Sequence, residues 1–186
     1  MSQSALRDLA ALGVAVSYDN IGRDLILSGR LAQMIDEDGI VGETANPIIY
    51  EKAVSTTDVY DSEIAELSRA GWPSDRIVME LWARDVQLAC DVFRPVYEAS
   101  DRVDGYVSLE LPPHLAHDAE GTVEAAREVR KRVDRPNLAL KIPATRESFA
   151  AIATCGAAGV NVTAPVIFAR APYAHGIPAA KPRHPR

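Results

Sequence analysis

Lys141 stands where a lysine is costly. It interrupts the apolar run Leu138-Ala139-Leu140-Lys141-Ile142-Pro143, in a chain with four lysines against sixteen arginines. An amine among apolar groups gives up its proton more readily than one in water, and a neutral amine can add to a ketone and form an imine. An arginine there would stay charged and could not. Imine chemistry also needs a group that shuttles protons at the carbinolamine, and another that takes a hydroxyl proton as a carbon–carbon bond breaks. Glu110, in Val107-Ser108-Leu109-Glu110-Leu111, and Asp19, closing Val14-Ala15-Val16-Ser17-Tyr18-Asp19, are the carboxylates available for both roles.

Strand parity groups these residues. Ala15, Ser17 and Asp19 share one face of their run, Ser108 and Glu110 share one of theirs, and Ala139 and Lys141 oppose Leu138, Leu140 and Ile142. Parallel strands covered by helices are apolar on both faces, so charges near three strand ends are costly unless they serve a site. The bland alternative for any one of them is a buried ion pair, or a side chain that reaches solvent as its strand ends.

The surrounding elements suit a parallel sheet. Short apolar runs alternate with segments of helical period, in the order β-α-β-α-α-α-β-α-β-α-β. Strands are expected at Val14–Asp19, Gly39–Ala45, Gly105–Leu111, Leu138–Pro143 and Val160–Val166. Helices are expected at Thr57–Ser68, Ser74–Ala99, Glu120–Val133 and Arg146–Ala157, with Asp58 and Ser74 as N-caps of the first two and Pro73 at a boundary. The second helix carries Ile77, Leu81, Val86, Leu88, Val92 and Val96 as an apolar stripe, which core packing explains without any chemistry.

With 186 residues, 47% hydrophobic and 25% charged, the chain can bury one sizeable core, and a single domain is expected. A net charge of −6 and a pI near 5.2 argue against nucleic acid or an anionic membrane as partner. The sequence shows neither a membrane-length apolar run nor a secretory signal, so the expected compartment is the cytoplasm. Cys90 and Cys155 fit reduced core thiols. His114 and His117 read as surface histidines, because no further metal ligands accompany them, and no metal site is expected.

Several motifs, in order, resemble the transaldolase family, particularly its longer-chain actinobacterial branch, over about residues 9–168. They are Tyr18-Asp19-Asn20, Thr44-Ala45-Asn46-Pro47, Asp104-Gly105-Tyr106-Val107-Ser108-Leu109-Glu110, Arg135-Pro136-Asn137-Leu138 and Lys141-Ile142-Pro143-Ala144-Thr145. The resemblance implies an α/β fold, a (β/α)8 TIM barrel, here incomplete at about five of eight strands. It implies that Lys141 forms the imine with a ketose phosphate such as fructose 6-phosphate or sedoheptulose 7-phosphate. Asp19 would be the acid/base at the cleaved bond, and Glu110 would orient and protonate through a water. Asn46 would hydrogen-bond the dihydroxyacetone part of the substrate, with Thr44, Ser108, Asn161 and Thr163 completing the substrate-binding set. The three-carbon unit would pass to an aldose phosphate in the pentose phosphate pathway, without metal or organic cofactor, since the protonated imine is the electron sink.

The pattern departs from the family in places. Where the family reads Gly-Ile-x-Val-Asn-Val-Thr-Leu-Ile-Phe, this chain reads Gly159-Val160-Asn161-Val162-Thr163-Ala164-Pro165-Val166-Ile167-Phe168, so the register of the fifth strand has two solutions. Pro165 lacks an amide proton and belongs at an edge or a strand end. Ser17 stands where the branch usually has Trp, and Glu43 puts a charge on the helix-facing side of the second strand. Residues 1–168 therefore read as a partial transaldolase barrel, and 169–186, Pro-rich and basic, as a disordered non-family tail. Open sheet edges in such a chain invite self-association. Three functions remain open on this reading: a transaldolase, an inactive remnant or fragment-complementing chain, and a Schiff-base sugar-phosphate aldolase, which acceptor dependence would separate from the first.

Overall fold

The computed structural model describes residues 5–165. It is an α/β structure with an open sheet of five parallel strands in the order β1-β2-β3-β4-β5, as expected for part of a (β/α)8 barrel. The strands are β1 (Ser17–Asp19), β2 (Gly42–Thr44), β3 (Tyr106–Glu110), β4 (Leu138–Lys141) and β5 (Asn161–Thr163). The helices are α1 (Ala5–Ala11), α2 (Arg23–Leu27), α3 (Arg30–Asp38), α4 (Pro47–Ser55), α5 (Asp61–Arg69), α6 (Ser74–Ala99), α7 (Ala119–Val133) and α8 (Ser148–Ala157), with a 3-10 turn at Pro113–Leu115.

All five strands fall inside the expected runs and each is shorter. Pairing extends a little past their ends, since Val41 N–H donates to Val16 C=O at 2.9 Å and Gly105 N–H to Val41 C=O at 2.7 Å. β5 ends two residues before Pro165, consistent with a proline that cannot donate to a ladder. Val166 to Phe168 and the tail lie outside the described residues.

The helices bring corrections. α1 was not expected, and the first crossover is two helices, split at Gly29. Asp58 does not cap α5: its N-cap is Tyr60, and Asp58 supplies only its backbone carbonyl, to Asp61 N–H. Ser74 is the first residue of α6 and not its cap, because Pro73, locked in an extended conformation, takes that position. α7 starts at Ala119 because the Asp118 side chain accepts from Gly121 N–H.

The chain divides into two compact units. One comprises the chain up to Val107 together with Arg135–Asn137, and the other Ser108–Asp134 and the chain from Leu138 on. In the first, α6 supplies the buried surface, but the row differs from the expected stripe. Leu88, Val92 and Val96 are only half-buried, while Ile77, Leu81, Asp85, Ala89, Phe93 and Tyr97, spaced by four, are buried. Asn137 fastens this unit: its Nδ2 donates to Cys90 C=O and to Gly105 C=O, both at 2.9 Å. Arg135 grips Asp91 of α6 with Nε at 2.6 Å and Nη2 at 2.9 Å. Gly105 is required, having a φ of 81° and a place where a Cβ would lie 2.4 Å from Tyr97 N. In the second unit α7 packs on α8, and Arg130 donates to Ala158 C=O at 2.8 Å. Cys90 and Cys155 are free and buried, and burial pushes both thiols up.

Glu43 is the anomaly of the first unit. It is 1% exposed on the helix-facing side of β2, and neither carboxylate oxygen has a hydrogen-bond partner. Burial, and after it the charge of Asp85, pushes its carboxyl up to about 8. The folded chain thus holds this proton more tightly than the unfolded chain. The stability this gives is fully present below the ordinary glutamate value of 4.5 and is lost as pH rises to about 8. At roughly 1.4 kcal/mol per tenfold change in proton affinity, the loss amounts to a few kcal/mol. Glu43→Val should therefore raise the urea midpoint at pH 8 and flatten its dependence between about pH 5 and 8; a wild-type midpoint that does not fall across that window would refute the assignment.

Candidate active site

The residues singled out by type and parity gather into two groups, one in each unit. In the first unit, Asp19 and Thr44 close β1 and β2 and are register partners. Parallel pairing therefore puts their side chains abreast, and Thr44 Oγ1 donates to Asp19 Oδ1 at 2.6 Å. Two residues on, Asn46 caps α4: its Oδ1 accepts from Ile49 N–H at 3.0 Å, and Pro47 at the first helical position suits that start. The cap occupies the carbonyl end of the carboxamide, so its NH2 is the end that can donate. Asp19 is exposed and borders an open cleft of about 660 Å³, which Ile21, Leu25, Arg30, Ile49 and Lys52 also line.

In the second unit, Lys141 is the last residue of β4. Its carbonyl accepts from Leu111 N–H at 3.1 Å, and Thr163 of β5 is its register partner, so the backbone under the amine is held from both sides. The side chain is 13% exposed, and Nζ lies 3.3 Å from Oε2 of Glu110, itself 18% exposed. The amine thus meets a carboxylate and not only the apolar neighbours that its sequence surround suggested. A proton can pass between two groups at this distance, and the low exposure restricts water. Ser108, two residues before Glu110, is buried on β3. Asn161 Nδ2 donates to Leu138 C=O at 3.2 Å, and Thr163 C=O accepts from Ile142 N–H at 2.9 Å. Both β5 residues therefore brace β4 in this structure.

His117 Nδ1 sits 3.1 Å from Glu147 Oε2 on an exposed surface. Among the described residues no group of three or more His, Cys, Asp or Glu could hold a metal, and no helix is long and apolar enough to cross a membrane.

A polar cluster behind Asp19 escaped the sequence reading. Asp85, with 0% exposure, accepts at Oδ1 from Arg23 Nε at 2.7 Å, and at Oδ2 from Tyr50 OH at 2.9 Å and Tyr60 OH at 2.8 Å. Arg23 also binds Glu63, and its guanidinium lies 4.8 Å from the centre of the Tyr60 ring. Trp82 stacks on Tyr50 with centroids 4.9 Å apart. Burial pushes the Asp85 carboxyl up, opposed by hydrogen bonds from Arg23, Tyr60 and Tyr50. Burial likewise pulls the Arg23 guanidinium down, and its bonds to Glu63 and Asp85 outweigh that and leave it above the ordinary value. The missed signal was spacing: Asp85 lies four residues from Leu81 and four from Ala89, a carboxylate in the middle of a buried row.

Comparison with known proteins agrees with the motifs. Residues 16–181 match the family model described as Transaldolase/Fructose-6-phosphate aldolase. The chain is 42% identical over 173 residues to "Transaldolase 2" of Nostoc punctiforme, which covers 93% of this chain and 45% of that protein. It is 45% identical over 163 residues to "Transaldolase" of Frankia alni and to "Transaldolase" of Mycobacterium tuberculosis, each match covering 88% of this chain and 44% of the relative. The chain thus spans about half the length of the curated relatives it matches. The order of the strands, the carboxylates and lysine at their ends, and these matches together place the chain in the transaldolase/fructose-6-phosphate aldolase family.

Proposed function

We propose that this chain carries the imine-forming chemistry of a transaldolase, a transferase of three-carbon units between sugar phosphates in the cytoplasmic pentose phosphate pathway. The observation that carries the reading is the Lys141 amine at the end of a parallel strand, little exposed, with the Glu110 carboxylate 3.3 Å away. In this reading the Lys141 amine adds to the ketone of a ketose phosphate such as fructose 6-phosphate or sedoheptulose 7-phosphate. Glu110 moves protons, through a water, as the carbinolamine loses its hydroxyl and becomes the iminium. Asp19 then takes the proton from the hydroxyl on that carbon of the scissile bond which lies farther from the iminium. That bond breaks, its electron pair enters the iminium to give an enamine, and an aldose phosphate leaves. Addition of the enamine to a second aldose phosphate, with Asp19 returning the proton, and hydrolysis of the new iminium complete the transfer. Asn46, Thr44, Ser108, Asn161 and Thr163 serve the substrate's hydroxyls in this scheme. The protonated imine is the only electron sink the scheme needs.

The test is borohydride trapping with fructose 6-phosphate on the purified, monodisperse chain, read by intact mass and peptide mapping. One reduced dihydroxyacetone unit on Lys141 is expected, and no adduct from a folded sample would sink the reading. Lys141→Arg should leave the urea midpoint close to wild type and give no adduct; imine remaining on that variant would move the role to Lys52, Lys131 or Lys181. Glu110→Gln keeps the shape and loses the proton carrier, so adduct formation should slow by roughly 10²- to 10⁴-fold, the usual worth of general acid–base help. An unchanged trapping rate in this variant would remove Glu110 from the mechanism. Release of aldose phosphate that requires no acceptor for turnover would point to an aldolase in place of a transaldolase.

A further inference from the structure

Asp85 is a costly residue for its position. Stripping a carboxylate of water costs several kcal/mol, and well-packed apolar residues often serve stability as well or better. Here the carboxylate is met by donors from three separate segments: Arg23 at the start of α2, Tyr50 in α4 and Tyr60 at the start of α5. Two of those segments are the ones that follow the β1 and β2 ends. Arg23 comes four residues after Asp19, and the chain between is short and pinned: Ile21 is buried, and its N–H donates to Asn20 Oδ1 at 3.0 Å. Arg23 N–H donates to Tyr60 OH at 2.8 Å, so that hydroxyl holds the α2 start as it donates to Asp85. Tyr50 comes four residues after Asn46 and six after Thr44, within the helix that Asn46 caps. Asp85 thus holds both flanks of the Asp19–Thr44 hydrogen bond.

We propose that Arg23, Asp85, Tyr50 and Tyr60 form a positioning clamp for Asp19, setting its carboxylate against Thr44 for the proton transfer of the bond-breaking step. The proposal rests on the reading of Asp19 as the acid/base at the cleaved bond. Imine formation, which belongs to Lys141 and Glu110, does not use the clamp. The two steps therefore part company when the clamp is loosened, which a purely structural role would not produce.

The experiment is rapid-quench borohydride trapping with fructose 6-phosphate on the full chain, measuring on Lys141 the ratio of the three-carbon adduct, left after cleavage, to the six-carbon adduct of the uncleaved donor. Tyr60→Phe removes one hydroxyl and keeps the ring under Arg23; Asp85→Asn keeps the shape and removes the charge. With total adduct close to wild type, the three- to six-carbon ratio should fall roughly tenfold in Tyr60→Phe, the worth of about one hydrogen bond, and further in Asp85→Asn. Asp19→Asn is the reference for complete loss of the cleavage step. Should Asp85→Asn fail to fold, Tyr50→Phe takes its place beside Tyr60→Phe. A ratio unchanged in folded clamp variants, with wild type forming the three-carbon adduct on Lys141, overturns the clamp alone. Absence of any adduct on wild type overturns the clamp and the imine reading together.

Discussion

A charge taken out of water has to be met where it lies, and Asp85 sets that requirement for the first unit. Its oxygens need donors at fixed angles inside a closed space, so Arg23, Tyr50 and Tyr60 are confined to positions that satisfy them. Losing Arg23 would leave a buried charge unpaired, at about 3–5 kcal/mol, and losing a tyrosine hydroxyl would leave one oxygen short of a donor, at about 1–3 kcal/mol. The start of α2, the body of α4 and the start of α5 are thereby held to a single point on α6, while apolar packing alone would let them slide. Everything at the ends of β1 and β2 inherits that constraint.

Three little-exposed carboxylates show how differently a fold can treat one chemical group. Asp85 is surrounded by donors. Glu110 has Nζ of Lys141 as its neighbour at 3.3 Å. Glu43 has no hydrogen-bond partner for either oxygen and lies within reach of the Asp85 charge, so it tends toward the neutral form. Glu43 and Asp85 are both fully enclosed, and the donors available to each set them apart.

Much of the architecture was legible because it rests on local patterning. Alternating apolar runs marked all five strands, and α6 has the bounds Ser74–Ala99 that its period and the preceding proline suggested. Parity also set Lys141 and Glu110 apart from the apolar faces of β4 and β3. Caps were less legible: Asp58 has a suitable side chain, but the N-cap position falls to Tyr60, whose hydroxyl donates to Asp85. The clamp was illegible for a related reason. Nothing about Asp85 in isolation separates a buried carboxylate from a solvated one, and its partners lie 25 to 62 positions away in sequence. Of the residues that carried the family resemblance, Arg135 and Asn137 turn out to hold α6 and the start of β3 in place, a role that a motif does not display.

Those same residues make the first unit discontinuous. Arg135–Asn137 belong to it, while the stretch from Ser108 to Asp134 and the chain from Leu138 belong to the other, so the polypeptide passes between the units three times. During synthesis the first unit cannot close its contacts to Cys90, Asp91 and Gly105 until Asn137 has left the ribosome, by which point α7 has already emerged. The two units must therefore mature as interleaved folding problems, and no single cut in the gene can deliver both of them whole.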